Sequence, residues 1–284
     1  MSAAFVDDAR HLIREGADLY LEQFGPADAP AVLFLHGGPG ASSHAFRELL
    51  GEDLEAYRMI YLDQRGGGRS YADAGFDLDT LADDAAAVVA ALSLDQVTVL
   101  AHGFGAAVAV RVGARYPGLL RGHVWLNPWL SMPLLARTLY RSAGIGRVGE
   151  DDAGADPVGL VNAAFAAAGA KPLFDELLFP DPAARLRLEH AESTVLLGPS
   201  ESAGLDDPWH VDVSDELDRC RAPVAILLAT GDGSCYPDQA ELALARLPHA
   251  VTAFLGGGHH PYLDDPEPFL QALRSALEHA GAPT

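Results

Sequence analysis

Short runs of consecutive apolar residues alternate with longer stretches in which apolar positions recur every three or four residues, along most of the chain. The first pattern is that of strands buried on both faces and the second that of amphipathic helices. Ala31 to His36, Arg58 to Asp63, Gln96 to Ala101, His123 to Leu126, Val224 to Ala229 and Val251 to Leu255 read as strands. Helical spacing over Leu81 to Leu92, about Gly105 to Tyr116, Asp238 to Leu247 and Glu267 to His279 fills the gaps between them, with Asp79 and Thr80 as cap candidates and Pro117 as a stop. His11 to Glu15 and Asp18 to Phe24, joined through Gly16, read as an opening antiparallel hairpin. Strand and helix in regular alternation predict an α/β fold with a mostly parallel, doubly wound sheet.

The alternation stops between about Pro128 and Asp212. Helical pieces at Leu134 to Ser142, Pro157 to Ala168 and Ala183 to Ser193 are separated there by Gly, Pro and Asp, without strands. Residues 129–212 are therefore expected to form a helical cap inserted in a core made of residues 1–128 and 213–284. No internal repeat or low-complexity tract interrupts this plan.

Composition narrows the function classes. The 284 residues carry a formal net charge of −21, a field that repels phosphate backbones and anionic lipid, so nucleic acid and membrane surfaces are poor partners. The bland meaning of this acidity is solubility, and the single lysine, Lys171, fits a compositional background. Two cysteines, Cys220 and Cys235, are too few for a disulfide framework and lack metal-ligand spacing, which fits a reducing compartment. No apolar run flanked by positive charge opens the chain and no stretch is long enough to span a bilayer, so the expected location is cytoplasmic. Neither a metal nor an organic cofactor is implied.

The chemistry concentrates in loops that follow strands, where doubly wound sheets place their ligands. His36-Gly37-Gly38-Pro39-Gly40 lets backbone N–H groups approach a substrate oxygen. Asp63-Gln64-Arg65-Gly66-Gly67-Gly68-Arg69-Ser70 has neither a GK[ST] ending nor a GxGxxG context, so it is no phosphate cradle. It reads instead as a fixed loop in which Asp63 and Arg65 bond the neighbouring backbone. Together HGGPG and DQRGGGRS resemble the proline iminopeptidase group of α/β-hydrolases, and the likeness extends over the core and fades in the cap.

That resemblance implies a nucleophile elbow, G-x-S-x-G, between a strand and a helix. The chain has Ala101-His102-Gly103-Phe104-Gly105 there, so glycine stands at the serine position, and no Ser, Cys or Asp occurs between Gln96 and Tyr116. The resemblance further implies an oxyanion hole from the N–H groups of Gly38 and Phe104, an acid in Thr230-Gly231-Asp232-Gly233-Ser234-Cys235, and a histidine in Gly257-Gly258-His259-His260-Pro261-Tyr262. The usual G-x-x-D spacing would put Ser234, not Asp232, at the acid position. Asp232 is nevertheless the preferred acid, with Asp238 as the weaker alternative at a helix start, and His259 is preferred over His260.

Glycine at an elbow relieves backbone strain but supplies no oxygen for acyl transfer. Three explanations stand: a replacement that disables an active peptidase or esterase, a binding protein that keeps the pocket, or an enzyme in which His259 activates water or abstracts a substrate proton. The expected ligand in each case is a small molecule or short peptide. Glu176, Glu189 and Glu192 are candidates for a substrate amino group, with ordinary solvated carboxylates as the bland alternative. Trp125, Trp129 and Trp209 either line a pocket or simply pack.

Overall fold

A computed structural model describes residues 4–73, 75–145, 155–195 and 204–283. Parts of the 129–212 segment thus lie outside the described residues. The chain runs β1 (Phe5–Arg14), β2 (Ala17–Pro26), β3 (Ala31–Leu35), α1 (His44–Leu50), β4 (Arg58–Leu62), β5 (Tyr71–Ala72), α2 (Leu78–Ala91), β6 (Val97–His102), α3 (Gly105–Arg115) and β7 (Leu120–Leu126). Helices α4 (Met132–Ser142), α5 (Pro157–Ala168), α6 (Ala170–Leu178) and α7 (Pro182–Glu192) follow. The sheet then resumes with β8 (Val224–Ala229), α8 (Asp238–Arg246), β9 (Val251–Leu255), α9 (Pro261–Asp264) and α10 (Pro266–His279).

The strands form one sheet in the order β1-β2-β4-β3-β6-β7-β8-β9, with β5 beside β2. β1, β2 and β5 pair antiparallel, as does β2 with β4; every pairing from β4 to β9 is parallel. The continuous apolar runs have a simple cause. Leu33 and Leu35 of β3, Val99 and Ala101 of β6, and Ile226 and Leu228 of β8 enter the core beneath α2 and α3. Val32, Phe34, Leu100, Ala225 and Leu227 point the other way, into a core with Phe46 of α1 and Phe269, Leu273 and Leu277 of α10. Side chains alternate with period two, and helices cover both faces, so the central strands are mostly apolar, with Thr98, His102 and His123 as buried polar exceptions. Burying each such Leu or Phe contributes about 1.5–3 kcal/mol, and the stacked pair Phe34–Phe46, 4.2 Å between centroids, adds contact geometry to that burial.

Differences from the sequence reading have identifiable physical sources. The N-cap of α2 is Asp77, whose side chain accepts the Thr80 N–H at 2.8 Å, rather than Asp79 or Thr80. Helix α6 was not expected because Gly169 and Pro172 read as breakers; Gly169, at φ +80°, both ends α5 and opens α6, and Pro172 sits in the first turn, where no N–H is missed. Helix α1, seven residues long, is too short for its periodicity to register.

Candidate active site

The loops after β3, β6, β7, β8 and β9 leave the same, carboxyl end of the sheet. The turn after β6 is fixed entirely by backbone. Gly103 has φ +52°, its N–H donates to Leu126 O at 3.0 Å, and its carbonyl accepts from Trp129 N at 2.9 Å and Ala106 N at 3.1 Å. Helix α3 then starts against β3 so closely that a Cβ at Gly105 would lie 2.3 Å from Leu35 O. The turn is therefore a tight bend into a helix, with its central residue in the left-handed region that L side chains rarely occupy.

Opposite this turn stands His259. A Cβ built on Gly103 would lie 3.0 Å from its Nε2 and 3.6 Å from Gly37 Cα. The imidazole Nδ1 bonds Asp232 Oδ2 at 2.7 Å, and Asp232 is fully buried. A carboxylate accepts, so Nδ1 carries the proton and Nε2 presents its lone pair toward residue 103. The other carboxylate oxygen accepts from Ser234 N at 2.9 Å and Ser234 Oγ at 2.6 Å, and Ser234 Oγ accepts from Trp129 Nε1 at 3.0 Å. Ser234, at the spacing where the resemblance expects the acid, thus supports Asp232, which reaches His259 from two positions earlier. Asp238 lies elsewhere, bonded to Arg141 and Thr138.

The histidine is held on all sides. Its N–H donates to Leu178 O at 2.9 Å, and its carbonyl accepts from His102 Nε2 at 2.9 Å and Asn127 Nδ2 at 3.0 Å. Trp129 stacks on its ring at 4.9 Å and His102 lies at 4.4 Å. His260 turns aside, stacked on Phe179 and bonded through Nδ1 to the Tyr262 hydroxyl at 2.9 Å. Burial, reinforced by the neighbouring imidazoles, pushes the His102 and His260 pKa values well down, so both are neutral beside His259.

The glycine loop after β3 is anchored from below. His36 donates through Nδ1 to Gly37 O and accepts the Gln64 N–H through Nε2, both at 2.8 Å. Asp63, fully buried, accepts from Ser43 N, Ser43 Oγ, Arg69 N and Arg69 Nε at 2.6–2.9 Å. Burial alone would raise its carboxyl; the Arg69 guanidinium and the Ser43 hydroxyl outweigh that and hold it below the ordinary value. Arg65 forks onto Asp84 at 2.7 and 2.9 Å and also reaches the Glu15 carbonyl at 3.0 Å. The N–H groups of Gly38 and Phe104 have no acceptor among the described residues.

Two chambers adjoin the site. The smaller, about 190 Å³, is lined by Gly37, Gly38, Ser42, His259, His260 and Glu192, among others. The larger, about 730 Å³, lies beneath α4, α5 and α6. Of the candidate glutamates, Glu192 alone reaches the smaller chamber, where burial and then the charge of Glu189 raise its carboxyl. Glu189 pairs with Lys171 and Arg185, and Glu176 is exposed. Trp129 lines both chambers and Trp209 the larger, whereas Trp125 is packed in the core. Sequence alone could not separate Glu192 from its two neighbours, since all three stand on polar helical segments. Among the described residues no cluster of three or more His, Cys, Asp or Glu is arranged to hold a metal, and no helix is long and apolar enough to cross a membrane.

A family profile for the alpha/beta hydrolase fold matches residues 30–266. The chain belongs to this family. Its fold superposes on the proline iminopeptidase-related protein of Thermus thermophilus with a TM-score of 0.86 and 33% identity, covering 96% of this chain and 98% of that one. It is 30% identical over 263 residues to RutD of Pseudomonas syringae pv. syringae (strain B728a), named a putative carbamate hydrolase, covering 88% of this chain and 95% of the relative. A shorter match, 36% over 105 residues, spans 37% of this chain and 38% of the length of the bifunctional esterase/perhydrolase DCH of Acinetobacter calcoaceticus. Within the alpha/beta hydrolase fold, the turn at residues 101–105 stands where a strand runs straight into a helix, and the Asp232–His259 pair converges on it from β8 and β9.

Proposed function

We propose that this alpha/beta hydrolase is a member of the proline iminopeptidase and esterase lineage in which the acyl-enzyme route is lost at residue 103, while Asp232 and His259 persist as an assembled base. The observation that carries this reading is the 3.0 Å between the Cβ position of residue 103 and His259 Nε2. A serine there would place its hydroxyl beside the lone pair that Asp232 orients, which is the arrangement nucleophilic catalysis needs. Glycine offers no oxygen, so no covalent acyl intermediate forms on this residue.

The remaining groups support one direct reaction. A water in the smaller chamber gives a proton to His259 Nε2 as its oxygen attacks a substrate carbonyl. The carbonyl oxygen becomes an oxyanion facing the N–H groups of Gly38 and Phe104. When the tetrahedral species collapses, the bond to the leaving group breaks and the imidazolium returns its proton to that group, yielding acid and alcohol or amine. Binding and oxyanion stabilisation without a nucleophile retain roughly 10³–10⁴-fold over the uncatalysed reaction.

In the same reading, residues 129–212 act as a helical cap on the core of 1–128 and 213–284. The ligand is a small molecule or short peptide, and the acidic, disulfide-free chain works in the cytoplasm. The two cysteines, both free, fit a reducing compartment.

The deciding experiment compares the protein with Gly103→Ser on aryl esters and aminoacyl arylamides. Gain of about 10³-fold in the serine variant, abolished again by His259→Ala, is the expected result. A folded serine variant no faster than the glycine protein overturns it. If both are inert yet retain a ligand, the protein is a binding protein built on a hydrolase scaffold.

A further inference from the structure

The larger chamber carries an inference about the ligand. Among the described residues its wall is apolar, built mainly by Trp129, Met132, Leu135, Phe165, Phe174 and Trp209, and none of the described lining residues is titratable. Three aromatic rings are already in contact there: Phe165 lies 6.1 Å from Phe174 and 6.4 Å from Trp209, centroid to centroid. The volume, about 730 Å³, is in the range that encloses a drug-sized organic group. A charged group set against this wall would lose part of its hydration and find no charged side chain among the described lining residues.

The smaller chamber has the opposite character. Glu192, His259 and Ser42 face it, and Gly38 and Trp129 are shared by the two walls. Trp129 is also the ring stacked on His259. A ligand that spans both chambers therefore passes its polar, reacting end over Gly38 and Trp129 into the smaller space and leaves its body in the larger one.

We propose that the site takes neutral carbonyl compounds with a bulky aromatic or branched apolar body, aryl esters or arylamides, in preference to compounds whose main feature is a free terminal amine. The apolar body occupies the larger chamber and the carbonyl lies beside His259. This rests on the placement of the reacting group proposed above, but its test does not use turnover.

The test is equilibrium binding to the unaltered protein, read by calorimetry and tryptophan fluorescence, of three probes: 2-acetonaphthone, 2-naphthoate and prolinamide. The ketone is a neutral, non-hydrolysable carbonyl on a naphthyl body. Affinity for it at least tenfold above that for both other probes is expected. Phe174→Asp and, separately, Trp209→Ala, both at half-buried positions, weaken the ketone tenfold or more in variants that still unfold cooperatively. Prolinamide binding as tightly as the ketone overturns the proposal. So does ketone affinity unaffected by either folded variant. Selective ketone binding together with an inert Gly103→Ser protein keeps this inference and removes the lost-nucleophile reading; the converse result separates them the other way.

Discussion

The two halves of the site are built from different materials. On one side, Gly37, Gly38, Gly103 and the N–H of Phe104 offer only backbone, and their positions are set by strand ends, a helix start and the Asp63 loop beneath. On the other, Asp232, Ser234, His259, Trp129 and Asn127 form a buried side-chain network in which every member bonds another or its backbone. A backbone half tolerates loss of a side chain because glycine relaxes a strained turn without moving it. A side-chain half does not, since removing one buried partner strands the others. In the function proposed above, the missing chemistry falls on the half that loses it without structural cost, and the intact network keeps a base with nothing covalent to activate.

The largest expected effect tests whether the network still functions as a unit. In a Gly103→Ser background, Asp232→Asn should remove the Nδ1 acceptor that orients the lone pair toward residue 103, cancelling the gained ester hydrolysis, a fall of about 10³-fold to the level of the glycine protein. Stopped assays on both proteins measure it. A reduction below tenfold means that Ser234, whose Oγ is 3.4 Å from the same nitrogen, orients the ring instead. The serine itself should lower stability by about 1 kcal/mol, because it occupies the left-handed region and the His259 ring must withdraw slightly.

The backbone half is tested through its anchor. Asp63→Asn removes the charge that Arg69 neutralises and unbalances the bonds to Ser43, at a site with no access to water. Arg69 keeps its ion pair with Glu22, so the cost is that of the disrupted buried hydrogen bonds at residue 63, about 2–3 kcal/mol, measurable by urea unfolding. A loss under 1 kcal/mol would mean that the glycine loop holds its shape without the DQRGGGRS segment.

How much of this was readable in the chain follows the same division. The buried strands were legible because both faces of the sheet are covered, so β8 appears at its observed limits as a plain apolar run; β9, the half-exposed edge strand, shows as an apolar run without that cover. The glycine loops were legible from their places after strands. The pairing of Asp232 with His259 was open, because sequence offers Asp232, Ser234 and Asp238 within seven positions, and only the path of the loop brings the first onto the imidazole. The larger chamber was legible only in its candidate tryptophans: much of its wall comes from α4, α5, α6 and the Pro208–Trp209 turn, whose mutual packing leaves no periodic trace, and α6 was hidden by Gly169 and Pro172.

Acidity should act on the backbone half through His36. His36 uses Nε2 as an acceptor for the Gln64 N–H, and burial lowers its pKa below the ordinary 6.5. The unfolded chain thus binds the proton first, so this contribution to stability is complete above pH 6.5 and is lost as pH falls through the lowered folded value. His36→Asn should cost about 2 kcal/mol at pH 7, and its deficit relative to the parent should shrink as pH is lowered toward 4. Urea midpoints across that range measure the gap; a constant or widening gap would show that His36 does not titrate with unfolding.

The smallest effect sharpens the boundary between the halves. Trp129 belongs to the side-chain network through its Nε1 bond to Ser234 and to the backbone half through its own N–H, which donates to Gly103 O. Trp129→Phe keeps the backbone bond and an aromatic face against His259 but deletes the indole donor. Ser234 Oγ still donates to Asp232, so only one neutral hydrogen bond is lost, about 1 kcal/mol and a fall of roughly 2–4 °C in the thermal midpoint. If the indole merely packs, hydrolysis by a Gly103→Ser, Trp129→Phe protein stays within tenfold of the single variant. A hundredfold loss with that small change in stability would instead make the Trp129–Ser234–Asp232 chain the element that aims His259, extending the side-chain half across the line drawn here.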